Sequence, residues 1–415
     1  MPTASPELLT DAKALAASLV FLGSYVVFAI GKFPGMKIDR PGAAIIGAVL
    51  MVAFRIVDAP YALGAVDFAT IVLLFSMMLI VSNIRLAGVF DWVATAIVQR
   101  LHPRHLLPTV IVTTGVLSAF LVNDIVCLVM TPLVISLTRR FSLPAIPYVL
   151  AVATASNIGS VATITGNPQN ILIGSLSGIP YVTFLLRLAP IAIAGLVMNW
   201  AIIRWIHRRE LTHVVVPSDL RPTNAPARLR AKPVVVLAAV LVAFLFGVVP
   251  ALAASIGAAL LLITRSVEPK RVYADIDWGL LVFFVGLFVI VAGAERAGLT
   301  MALLEPLSRW GLQKTPLFVA VTATLGNIVS NVPAVMLLRG VVPQLADPRG
   351  GWFALAMAST LSGNLTVTGS VANIIVVERA AAEGVTVGFR DYVAVGIPLT
   401  IATLVFGTLW LALTQ

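Results

Sequence analysis

The 415-residue chain is 59% hydrophobic and only 11% charged, with a mean hydropathy of +1.01 and a formal net charge of +10. Soluble domains carry roughly 25% charged residues, and a soluble chain this apolar would expose large greasy patches, so the composition excludes an ordinary soluble fold. The positive charge does not mark a nucleic-acid binder: nearly all Lys and Arg residues stand between apolar runs, where they orient a protein in a lipid bilayer.

In chain order, no basic segment or small-residue cleavage site precedes the first apolar run, so 12–31 reads as an uncleaved span. Counted against the ~20 residues a helix needs to cross a bilayer, further spans fall at 42–58, 66–83, 145–177 and 185–206. A second set falls at 233–249, 251–265, 276–294, 352–377 and 391–413. Between the third and fourth members of each set lie apolar pieces at 106–140 and 314–345. Pro108 to Val122 is 15 residues, roughly 22 Å of helix and short of the ~30 Å hydrocarbon core. With polar tips at Val122-Asn123-Asp124 and Ser330-Asn331-Val332, these pieces read as re-entrant hairpins. The alternative is a pair of tightly packed full spans in each half.

The two sets repeat each other. Val66-Asp67-Phe68 matches Ile276-Asp277-Trp278, Pro108 and Asn123 match Pro316 and Asn331, and Pro190 matches Pro398. The number of crossings per half is odd, so the halves are inverted. The expected fold is an all-α polytopic membrane protein of two inverted repeats, with ten transmembrane helices and two re-entrant hairpins. Residues 1–206 form the first repeat, 207–232 a Pro- and Arg-rich cytoplasmic linker, and 233–415 the second. Placing both termini outside a bacterial-type inner membrane puts 20 of the 28 Lys and Arg residues inside.

One motif recurs within the repeat. Residues 163–173 read Thr-Ile-Thr-Gly-Asn-Pro-Gln-Asn-Ile-Leu-Ile, and 366–376 read Thr-Val-Thr-Gly-Ser-Val-Ala-Asn-Ile-Ile-Val. A break in a membrane helix strands N–H and C=O groups unless it lines a cavity or an ion. Two such breaks, in corresponding places, point to a transporter's midplane site. Half-helix N-termini offer N–H groups to an anion, while Asn and Thr offer oxygens to a cation.

The candidates in the first half are Asn123, Asp124, Thr165, Gly166, Asn167 and Asn170; those in the second are Ser330, Asn331, Thr368, Gly369, Ser370 and Asn373. Asn167 and Ser370 hold equivalent positions and are expected to contribute alike. Asp124 is the only acid at either tip, which marks it for ion coupling, with a helix cap as the plain alternative. Asp67 and Asp277 read as caps, and Arg339 as either an anion attractant or a side chain reaching for the interface. Small-residue stretches at 156–160 and 359–364 permit close helix packing beside the breaks.

Three stretches carry a resemblance to the ion transporter superfamily: Phe120-Leu121-Val122-Asn123-Asp124-Ile125, Ser156-Asn157-Ile158-Gly159 through Thr165–Ile173, and Val329-Ser330-Asn331-Val332-Pro333. The chain most resembles the ArsB/NhaD branch and YbiR-type anion permeases, and more distantly the divalent-anion:sodium symporters. The resemblance implies scaffold and transport domains, a homodimer and elevator-like alternating access. By similarity Asn123, Thr165, Gly166, Asn167, Ser330, Asn331, Thr368, Gly369 and Ser370 would line the ion and substrate sites. The symporters carry Ser-Asn-Thr at both tips and this chain does not.

The expected function is secondary transport of a small anion or oxyanion-like solute such as arsenite, with H+ or Na+ as coupling ion. A sodium ion is placed near Asn123 and Asn331, and no other cofactor is called for. The alternatives are sodium-coupled dicarboxylate or citrate symport, sodium/proton exchange, or a channel. No Walker loop, nucleophile elbow or HExxH motif is present, so an enzyme is not expected. The drive is an ion gradient or downhill flow, unless a separate ATPase subunit docks.

Overall fold

The computed structural model describes residues 11–31, 38–90, 92, 103–212, 231–263, 268–299, 302, 311 and 314–414. Among them every regular element is helical. The first half runs α1 (Asp11–Ile30), α2 (Arg40–Ala53), α3 (Ala59–Ala65), α4 (Phe68–Leu86), α5 (Leu106–Phe120), α6 (Asn123–Arg140), α7 (Ala145–Ser160), α8 (Pro168–Ser177) and α9 (Tyr181–Ile206). The short α10 (Arg208–Thr212) follows, and the remainder of the expected linker, 213–230, lies outside the described residues. The second half restates the order as α11 (Ala231–Leu245), α12 (Pro250–Ile263), α13 (Pro269–Ala274), α14 (Trp278–Arg296), α15 (Thr315–Val329), α16 (Asn331–Leu338), α17 (Pro348–Leu361), α18 (Val371–Ala382) and α19 (Phe389–Leu413).

Local chemistry sets the ends of these helices. Asp67 accepts the N–H groups of Ala69 and Thr70, and its repeat partner Asp277 accepts that of Leu280, so both cap as expected. Among the described residues five helices, α1, α4, α9, α14 and α19, are long and apolar enough to cross a membrane alone. The runs at 42–58, 233–249 and 251–265 give helices of only 14, 15 and 14 residues. Two of these stop in the same way. Arg55 (φ 54°) and Gly247 (φ 81°) adopt left-handed backbone, and the next N–H, of Ile56 or Val248, returns to the carbonyl of Met51 or Ala243 at 3.0 Å. This six-residue closure ends a helix even though the apolar sequence continues past it.

Packing divides the helices into two groups. In the first, α2 packs on α14 and α4 on α12, a reciprocal exchange between halves. Gly286 makes the first approach possible, since a Cβ there would lie 2.5 Å from the Ala44 carbonyl oxygen. In the second group α5 packs on α7 and α15 on α17, and each break helix crosses to the other half: α8 to α17 and α18 to α7. The long α9 and α19 pair with each other, tied by Trp410 Nε1 donating to the Arg187 carbonyl at 3.1 Å. Their outward faces carry Leu186, Ile193, Val197, Ile401, Val405 and Leu409, all exposed, while Ser, Thr and Asn crowd the interior. Apolar outside and polar inside is the distribution a bilayer solvent selects.

Candidate functional site

Six helices begin at one cavity of about 370 Å³. Its wall takes Arg40 and Pro41 from α2, Asn123 and Asp124 from α6, and Pro168 and Gln169 from α8. Gly279 and Leu280 of α14, Asn331 and Val332 of α16, and Val371 of α18 complete the ring. First-turn N–H groups lack intrahelical partners and carry the positive end of the helix dipole, so the ring favours negative or electron-rich atoms. The starts are not equally satisfied. Asp39 caps α2 and Asp277 caps α14. Asn167 caps α8 through the Asn170 N–H at 2.8 Å. No side chain caps α16 or α18.

The first tip is the turn between α5 and α6. Its Asn123 N–H donates to the Gly166 carbonyl at 3.0 Å, fastening the tip to the first break. Asn123 Nδ2 donates to Asn157 Oδ1 at 3.3 Å, while Asn123 Oδ1 is buried without a partner. Val122, not Asp124, stands at the cap position of α6, and among the described residues no hydrogen bond or ion pair engages the Asp124 carboxylate. The second tip turns through Ser330 alone, at φ 78° and ψ 159°, a strained backbone for a residue with a side chain. Asn331 Oδ1 is likewise buried and unpartnered.

The first break is filled by its own side chains. Asn170 Nδ2 donates to the carbonyls of Ser160 (3.0 Å) and Thr163 (2.9 Å), and Asn167 Nδ2 donates to Ser160 Oγ at 2.9 Å. Thr165 Oγ1 shares a hydrogen bond with Tyr181 at 3.1 Å. Gly166 backs onto the Ser160 backbone with no room for a Cβ. In the second break Asn373 Nδ2 plays the part of Asn170, donating to the carbonyls of Gly363 (2.6 Å) and Thr366 (3.1 Å). There, however, Thr368 is exposed, and it lines the cavity with Ser370. Of the twelve candidates, the structure brings Asn123, Asp124, Ser330, Asn331, Thr368 and Ser370 to the cavity wall. Thr165, Gly166, Asn167, Asn170, Gly369 and Asn373 stand behind it, shaping the breaks.

The charges on the wall are Asp39, Asp124 and Asp277 against Arg40, whose Nε donates to the Phe28 carbonyl at 2.9 Å. Arg339 is not on the wall. It holds Glu295 through both carboxylate oxygens at 2.9 Å, so the anion-attracting reading of Arg339 is corrected to an ion pair. Sequence reasoning also undervalued three residues. Asn157, counted only as a packing residue, bonds site residues of both halves. Thr360 accepts from Asn167 and Gln169, each at 3.2 Å, and Asn364 accepts from Asn157 at 2.9 Å. The usable signal was the presence of amide and hydroxyl groups at membrane depth, where each needs a partner.

Comparison with known proteins follows the same outline. The family model described as citrate transporter, CitMHS, matches residues 25–361. The silicon efflux transporter LSI3 of Oryza sativa subsp. japonica is 28% identical, over 95% of this chain and 97% of that protein. A transporter named arsB from Dictyostelium discoideum is 24% identical, over 90% of this chain and 87% of its own length. The YdaH transporter of Alcanivorax borkumensis superposes with a TM-score of 0.57 at 15% identity, over 97% of each chain, which shows a shared fold.

Proposed function

Because the chain belongs to the CitMHS citrate transporter family, we propose that it is a secondary active transporter for a small anion or oxyanion-like solute of the arsenite type, coupled to H+ or Na+. It is a multi-pass membrane transporter and not an enzyme. The observation that carries the finer reading is the single cavity in which Asn123, Asp124, Ser330, Asn331, Thr368 and Ser370 meet from both halves.

The reciprocal packing supports two inverted repeats. In that arrangement α1–α4 and α11–α14 form a scaffold, α5–α8 and α15–α18 a transport domain, and α9 and α19 connect them. The cavity reaches Gly31, Arg40 and Gly279, at helix ends that the Lys and Arg distribution assigns to the inside, so the state described is inward-facing on this reading. Elevator-like movement of the transport domain would carry the cavity to the other side. A homodimer in a bacterial inner membrane, with both termini outside, completes the proposal.

Two kinds of group in the wall fit solute and ion. Uncapped first turns of α16 and α18 supply N–H donors to solute oxygens. The unpartnered Asn123 Oδ1 and Asn331 Oδ1 are the acceptors a sodium ion would use. Asp39, Asp124 and Asp277 oppose a free, multiply charged anion, which favours a cargo that enters protonated or beside a cation. The second reading is sodium-coupled citrate symport, whose cargo is supported by the family's description as a citrate transporter.

The test is accumulation in proteoliposomes under an imposed proton or sodium gradient, with arsenite and citrate in parallel. Saturable, trans-stimulated uptake is expected, and Asp124→Asn should abolish accumulation against a gradient while sparing exchange. Flux that does not saturate and runs only down the solute's own gradient, whatever the imposed ion gradient, would indicate a channel and end the carrier reading.

A further inference from the structure

We propose that Asn157, on α7 behind the cavity wall, is a positioning residue that couples occupancy of the first tip to binding at the second break. The inference rests on the transport reading above and assigns a role to a residue that does not touch the cavity. Asn157 is 1% exposed. Its Oδ1 accepts from two donors, Asn123 Nδ2 at 3.3 Å and Ser370 Oγ at 3.1 Å. Those two residues line the same cavity and come from different halves of the chain. Its Nδ2 donates to Asn364 Oδ1 at 2.9 Å and Asn373 Oδ1 at 3.0 Å. One amide therefore gives two bonds and receives two, which uses its full capacity.

A shared acceptor converts one binding event into another. A cation drawn to the unpartnered Asn123 Oδ1 polarises that amide and strengthens its Nδ2–H bond to Asn157 Oδ1. In a buried, low-dielectric setting neighbouring hydrogen bonds feel such changes strongly. The Ser370 hydroxyl, competing for the same oxygen, is then freer to turn its hydrogen toward the cavity. Thr360 occupies the equivalent place in the second repeat, yet its donors Asn167 and Gln169 both belong to the first break. Among the described residues Thr360 joins no tip to a break, so the coupling runs through Asn157.

The test uses the full chain with Cys127→Ser and a Thr368→Cys reporter at the second break, whose reaction with a small neutral thiol reagent needs no cargo. Replacing potassium chloride by sodium chloride at fixed pH should change the labelling rate by about fivefold or more, the scale of ordinary site–site coupling. Asn157→Ala should bring that ratio within about twofold of one. Asn157→Thr, which copies Thr360 and keeps a buried hydroxyl, should do the same and carries the test if the alanine variant does not fold. Asn364→Leu removes a bond of Asn157 but leaves the shared oxygen, and should retain the ion effect. The proposal is overturned if the parent reporter shows no ion effect, if Asn157 variants keep it, or if Asn364→Leu loses it equally. A parent that transports without ion-dependent labelling sinks this inference alone. Ion-dependent labelling that vanishes with Asn157, in a protein without flux, sinks the transport reading and leaves the coupling standing.

Discussion

The two Thr-Gly breaks have the same sequence pattern and opposite environments. In the first, Thr165, Asn167 and Asn170 are all fully buried, and the helix that follows is capped by Asn167. In the second, Thr368 is exposed, Ser370 stands at the start of an uncapped helix, and the neighbouring tip is bent through a left-handed Ser330. Both copies tie an Asn to their own carbonyls, but only the second leaves a threonine, Thr368, on the cavity wall. The proposed inverted repeat, opening on one side at a time, would require this inequality, because equivalent elements must then occupy different environments in any one state.

The largest expected effect comes from the glycines of the two breaks. A Cβ on Gly166 would be driven into the Ser160 backbone, which cannot move without displacing α7. A Cβ on Gly369 would lie 2.7 Å from Asn327 Oδ1 and 2.9 Å from the Gly363 carbonyl oxygen, and the nearer of these is a side chain. Gly166→Ala should therefore destabilise by about 3 kcal/mol and Gly369→Ala by about 1 kcal/mol, the upper and lower ends of an overpacking cost. Thermal unfolding in detergent checks the order. Equal losses would mean that the second break is packed as tightly as the first.

Much of this inequality could not be read from the sequence. The helix interruptions before Pro168 and Val371 and the turns before Asn123 and Asn331 were legible, because glycine, proline and polar residues inside apolar runs have few structural meanings in a bilayer. Asp67 and Asp277 were legible as caps from their positions before apolar runs. The early ends of α2 and α11 were not: apolar residues such as Ile56, Val57 and Val248 continue past the turn, and hydropathy does not register a left-handed residue. Arg339 was ambiguous because its partner Glu295 lies 44 positions away. Asn157 was hidden for a further reason. Its repeat partner is Thr360, so the symmetry that exposed the other site residues passed over it.

The next prediction divides two positions that the sequence treats as equivalent. Asn167 accepts the Asn170 N–H and donates to Ser160 and Thr360, all inside the protein. Removing such a cap costs about 1 kcal/mol, with more from the partners left unsatisfied. Asn167→Ala should lower the unfolding temperature and affect solute affinity only through that loss. Ser370→Ala removes a hydroxyl at the cavity wall and should weaken solute binding about tenfold, the value of one hydrogen bond, while its single internal bond, to Asn157, makes the loss of stability smaller than for Asn167→Ala. Calorimetric titration beside thermal unfolding would separate the two. A weaker affinity in Asn167→Ala at unchanged stability would return the first break to the binding site.

The smallest effect concerns what keeps the second break open. Glu295 and Arg85 hold equivalent places at the ends of α14 and α4, yet their partners differ. Arg85 pairs with Asp275, just before α14, so both residues lie within the α1–α4 and α11–α14 group. Glu295 reaches Arg339, just past α16, and thereby ties that group to the other. Tyr25 donates to the Pro333 carbonyl at 3.1 Å and ties the same two groups through α1. The Glu295–Arg339 pair is partly exposed, 36% and 19% for the two side chains, so its net worth is small, about 0–1 kcal/mol. At its upper end that shifts a two-state equilibrium by about fivefold. Glu295→Gln keeps the shape and removes the charge, so it should lower cavity-side labelling of a cysteine at position 368 by up to that factor. Asp275→Asn breaks a pair inside one group and should leave the labelling unchanged. An equal response to both substitutions would show that neither pair reports on movement between the groups. The inequality of the two breaks would then belong to their own side chains alone.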